Sequence, residues 1–255
     1  MVIDENMPTS MDDLQRSNLE LRRELEALRT ERQAIWPLLV ETSRRLQVSS
    51  ASIKAAVSSL LSYDIFWDSA NQHEFLKTID TSVDQVGKLS TLFSLAFRLE
   101  AGTLVLKREL HNLQEILTSA QANAAFAFPN LEIELFLPQE GKPVEVDYEY
   151  LTLALTMLFE VFASSLRAKK ISVRMQEALV EWSIDVDGLD ETTAELIQSM
   201  HNFQLEPNGI SSRLSPENAI RLHIVSRLFD LLDIQVDSMK NEDDQTSFRI
   251  QIPTI

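Results

Sequence analysis

From Met11 onward, Leu14, Leu21, Leu25, Leu28 and Ile35 recur at spacings of 7, 4, 3 and 7, with Arg and Glu of both signs between them. This pattern predicts a short coiled coil over residues 11–34, with Asn18 on its seam. A single amphipathic helix packing on its own domain fits the same run. The apolar seam then continues through Leu39, Leu46, Ile53 and Leu60 to Tyr63, with Pro37 as the one helix breaker. After a loop at Asp64–Gln72, a second run carries Leu76, Ile79, Val83, Val86, Phe93 and Phe97 and stops at Ala101-Gly102. Two long helices with a short connection predict an antiparallel hairpin over residues 35–102, whose seam needs a second hairpin to be buried.

Beyond Gly102 the period shortens. Leu104–Leu106, Leu131–Leu137, Pro143–Val146, Ile171–Gln176, Leu179–Val186, Ile234–Met239 and Ser247–Ile252 read as strands. Leu110–Ala125, Tyr148–Leu166, Thr192–Met200 and Pro216–Leu232 read as helices, the last with Ser215 as N-cap. Antiparallel strands mixed with helices predict an α+β layer from residue 103 to 255, a sheet covered on one side by helices. Residues 1–10 read as a disordered tail.

Composition removes several kinds of chemistry. With 23 Lys+Arg against 39 Asp+Glu, the formal net charge of -16 opposes a nucleic-acid binder, which needs a basic face. There is no Cys, so thiolate nucleophiles and Cys metal sites are excluded. His73, His111, His201 and His223 are scattered without metal-ligand spacing, and no metal site is expected. Only 5 Gly occur, where roughly 18 is average, which leaves little for a glycine-rich phosphate cradle. Met1–Leu14 is acidic without an apolar core, and no run approaches the ~18 apolar residues of a spanning helix, so a cytoplasmic protein without membrane insertion is expected.

Three segments, in order, carry a family resemblance. Residues from Ser43 to Lys54, SRRLQVSSASIK, lie without a gap on the phosphoacceptor box S-H-E-L-R-T-P-L-x-S-I-x of sensor histidine kinases. Asp147 followed by Leu151, Leu155 and Leu158 resembles the helix bearing that family's N box, and Phe248–Pro253 its closing strand. The resemblance covers about residues 35–253. It implies a dimeric four-helix bundle built from two hairpins, followed by an α/β sandwich of the histidine kinase ATP-binding fold.

Position by position, the family's chemistry is altered. The phosphoacceptor histidine falls on Arg44 and the neighbouring acid on Arg45, and a guanidinium is no nucleophile. The N-box asparagines fall on Met157 and Val161, leaving Glu160 as the nearby hard-oxygen donor. The D-x-G-x-G turn is reduced to Asp187-Gly188, which also reads as an ordinary surface turn, and the second glycine motif falls on Glu217–Leu222, with Ala219 and Arg221 among its positions. Between Arg174 and Arg213 stand eight acids and no Lys or Arg, a field that repels polyphosphate.

The sequence thus points to a histidine-kinase-like pseudokinase, with no enzymatic activity and no cofactor. It is expected to work as a homodimeric scaffold for a response-regulator receiver domain or a competent partner kinase. By resemblance, the docking face would hold Arg44, Arg45, Gln47 and Ser50 on the first hairpin helix and Leu95 and Arg98 on the second. A divergent but active ATP-binding kinase, or a phosphotransferase using one of the four histidines, is the alternative.

Overall fold

The computed structural model describes residues 43–60, 69–139, 141–165, 170–178, 181–188, 214–240 and 246–254, with Leu19 and Val40 as single positions. The coiled coil expected over 11–34 lies outside the described residues except for Leu19. So do Pro37, Leu39, the loop aromatics Phe66 and Trp67, the helix expected at Thr192–Met200, and His201.

The hairpin consists of α1, described over residues 43–60, and α2, Ser69–Glu100. Heptad spacing sorts the apolar residues of α2 into separate rows. Ile79, Val86 and Phe93 are half-buried, whereas Leu76, Val83 and, two heptads further on, Phe97 are each 51% exposed. On α1, Leu46, Ile53 and Leu60 are half-buried. Gly102 ends α2 at φ 62, a left-handed conformation that lets its amide donate to the Leu99 carbonyl and that of Thr103 to Arg98.

The strand expected at Leu104–Leu106 does not form. Leu104 and Leu106 pack on the core and Val105 is 77% exposed, so the residues alternate like a strand but have no neighbouring strand to pair with. Pairing begins later, between β1 (Glu109–His111) and β3 (Val144–Val146), which are antiparallel. That pairing also delays α3 to Leu113–Ala127, where Asn112 caps the helix by accepting from the Gln114 amide at 2.9 Å.

The remaining strands form one sheet in the order β2 (Glu132–Phe136), β4 (Lys170–Glu177), β5 (Glu181–Asp187), β7 (Thr246–Pro253) and β6 (Gln235–Lys240). Only β2 and β4 run parallel. Alternation sends Ile171, Val173, Trp182, Ile184, Phe248 and Ile250 to one fully buried face. Over it lie α3, α4 (Tyr148–Ser165) and α5 (Pro216–Leu231), with α4 packed against both of the others. On the opposite face, Asp185 and Arg249 are directly paired across β5 and β7, and the guanidinium donates to both carboxylate oxygens at 2.6 and 2.9 Å. The architecture is the expected α+β sandwich.

Candidate functional site

The site is built on α4 and the first turns of α5. Asp147 caps α4: one carboxylate oxygen accepts from the Tyr150 backbone amide at 3.0 Å, the other from the Lys107 backbone amide at 2.7 Å. This orients the helix so that Leu153, Thr156, Met157, Glu160 and Ser164 share a face. Ser215 caps α5, and Pro216 follows in its first turn. Glu217, Asn218 and Arg221 then face α4.

Between them lies a cavity of about 720 Å³, lined on its other sides by Lys88, Thr91 and Leu92 of α2, by Phe126 in the last turn of α3 and by Phe128 after it. Its polar wall is knitted together. Arg221 lies 3.3 Å from the Glu160 carboxylate and 2.7 Å from that of Glu217, and donates to the Asn218 side-chain oxygen at 3.1 Å. The Asn218 amide donates in turn to Ser164 Oγ at 2.8 Å. Burial raises the Glu160 pKa from its ordinary value, against the pull of Arg221 and Lys88 and helped by Glu217. An ion pair alone would lower it. Here Arg221 is shared between two carboxylates and an amide, and desolvation prevails.

The expected positions separate into three groups. Met157, Glu160 and Arg221 line the one cavity. Val161 and Ala219 are fully buried in the apolar core and do not line it, so the position matching a metal-holding asparagine is a packing residue. Asp187 and Gly188, at the end of β5, are not part of the cavity either. Gly188 is more than a surface turn: at φ +90, a Cβ there would stand 2.9 Å from the Lys170 carbonyl oxygen, so the close approach of β4 requires glycine. Among the described residues, no group of three or more His, Asp or Glu is arranged to hold a metal ion.

The acidic stretch is also less bare than the sequence implied. Arg249 neutralises Asp185, Lys142 lies 3.1 Å from Glu177, and Arg174 lies 3.8 Å from Asp187. These cations come from other segments of the chain or precede the stretch, and folding brings them to it.

On the hairpin, Arg44, Gln47 and Ser50 are exposed and Arg45 is half-buried. Leu95 is only 7% exposed and belongs to the core, which removes it from any docking face, because a partner cannot reach it. Arg98 is exposed and donates to Tyr150 Oη at 3.1 Å. Sequence reasoning missed Lys88, Asn218 and Ser164. The Glu217–Arg221 pair was legible as a four-residue helical spacing, but the approach of α2 to α4 was not.

No protein-family model matches this sequence, and no curated protein is significantly similar to it. Solved structures are similar. The histidine kinase AdeS of Acinetobacter baumannii matches with a TM-score of 0.50 at 17% identity, over 82% of this chain and 96% of that one. Full-length ShkA, solved in complex with AMPPNP, matches with a TM-score of 0.53 at 15% identity, over 85% of this chain and 45% of that one. The fold is that of a histidine kinase core. This corrects the expectation that the chain is no enzyme: the two neighbours that share its fold are histidine kinases. Among the described residues, no helix is long and apolar enough to cross a membrane.

Proposed function

We propose that this histidine-kinase-like chain is a dimeric signalling protein of the two-component type, which holds a response-regulator receiver domain or a competent partner kinase on its hairpin. The observation that carries the reading is the row Leu76, Val83 and Phe97, half exposed at spacings of 7 and 14 on α2 of a histidine kinase fold. A second copy laid against this row completes a four-helix bundle. Arg44, Arg45, Gln47 and Ser50 on α1 then form the docking face, where two guanidinium groups complement the acidic phosphorylation pocket of a receiver domain. Titration calorimetry against a panel of purified receiver domains and histidine kinase cores tests this. One partner is expected to bind, and Arg44→Glu with Arg45→Glu to weaken it by about tenfold or more. Absence of binding across the panel overturns the reading.

A second reading, a divergent ATP-binding kinase or phosphotransferase, is favoured by the cavity, which brings Lys88, Glu160 and Arg221 together beside apolar walls within a kinase fold. Calorimetry with Mg-ATP and a search for acid-labile phosphate test it. Of the four histidines, His73 is exposed, whereas His223 is buried against Glu100 and closed to a phosphoryl donor. Phosphate on His73 supports this reading; no nucleotide binding and no phosphohistidine sinks it.

A further inference from the structure

The cavity beside α4 changes character along its length. In chain order its α4 wall passes from Leu153 and Met157 to Glu160 and Ser164, roughly 16 Å of helix at 1.5 Å per residue. On the α2 wall, Lys88 attracts the Glu160 carboxylate, and the apolar Leu92 follows one turn later. Phe126, 90% exposed, holds a bare aromatic ring at the mouth. The charges in the wall are unequally committed. Arg221 is taken up by Glu160, Glu217 and Asn218. Lys88 is exposed and, among the described residues, has no hydrogen bond or ion pair.

A cavity with an apolar end and one uncommitted cation suits a ligand divided in the same way. We propose that it binds a small amphipathic carboxylate, with the anionic head beside Lys88 and an alkyl chain against Leu92, Leu153, Met157 and Phe126. Glu160 does not stand against this, because burial pushes its carboxyl toward the neutral form, which repels an anion less and can donate a hydrogen bond to it. A triphosphate is a poorer match, since it brings several negative charges to one available ammonium group and to a wall that already holds Glu160 and Glu217. The inference thus places a different ligand in the cavity from the nucleotide of the second reading, and it does not depend on the docking partner.

Octanoate is the probe, with octanol as its uncharged counterpart and Mg-ATP as competitor, each added to the full chain. The chain carries 7 methionines, so the Met157 methyl signal in the carbon–proton spectrum is identified by its loss in Met157→Leu, and it reports on the cavity itself. Octanoate should shift that signal saturably, with affinity rising about two- to fourfold per methylene from hexanoate to decanoate. Octanol should bind at least about tenfold more weakly, and Lys88→Gln, at an exposed position, should remove that preference while leaving octanol unchanged. These results support the site. An unmoved Met157 methyl, equal affinity for octanol and octanoate, or a preference that survives Lys88→Gln overturns it. So does displacement of octanoate by Mg-ATP at a lower concentration than octanoate itself needs, which assigns the cavity to a nucleotide.

Discussion

The sandwich and the hairpin treat their apolar residues in opposite ways. In the sandwich, Trp182, Phe159, Phe162 and Phe248 are fully buried or within 2% of it, and α4, apolar nearly all round, is enclosed between the sheet, α3 and α5. In the hairpin, three large apolar side chains in one row remain half exposed. A sheet with helices on one face closes its core within a single chain, whereas two helices bury one seam and leave the next open. The sandwich is saturated by itself. The hairpin is an unfinished core, and its open row is where the rest of a bundle belongs.

The strongest way to break this contrast is Trp182→Ala, at the centre of the saturated half. Loss of a fully buried indole should cost about 3–5 kcal/mol and melt the sandwich selectively, leaving helical dichroism from the hairpin. A loss below about 1 kcal/mol, measured by denaturant unfolding, means the sandwich core is not closed as described. Leu76→Asp with Val83→Asp probes the unfinished half. Sandwich melting should stay within about 0.5 kcal/mol while self-association, read by sedimentation, falls at least about tenfold. An unchanged mass distribution shows the open row is no interface.

The smallest effect concerns Glu160. Because burial raises its folded-state pKa, the folded chain holds a proton there that the unfolded chain releases. The stability associated with the neutral carboxyl is present at low pH and is lost as pH rises past the ordinary 4.5 and through the raised value. Glu160→Gln is neutral at every pH, so its Tm relative to the parent should climb between about pH 4 and about pH 7. A constant difference across that range shows that burial does not dominate this carboxyl.

Much of the fold was legible because it rests on local rules. The seven-residue rows of α2, the Ser215 cap of α5 and the alternation in β4 and β5 each follow from spacing alone. Leu104–Leu106 was misread because a short apolar run marks a strand only when a partner strand lies beside it, and among the described residues none does. The site was half legible. Glu160 and Arg221 fell at aligned positions, but Lys88 joins them only because α2 packs on α5, which no local pattern records. Leu95 was placed on a docking face because heptad position does not say which row meets the second domain. Its burial comes from the sandwich, over a hundred residues of chain that the periodicity of α2 does not see.

The place of β7 between β5 and β6 has a consequence for the order of assembly. Both of its neighbours pair with it, and neither pairs with the other. β6 thus precedes in the chain the strand that will attach it, and must wait on α5 until Thr246–Pro253 arrives to bridge the gap. The sheet is closed from its interior by its last strand, through a pairing as distant in sequence as Glu181 with Pro253, the kind of non-local contact that slows folding.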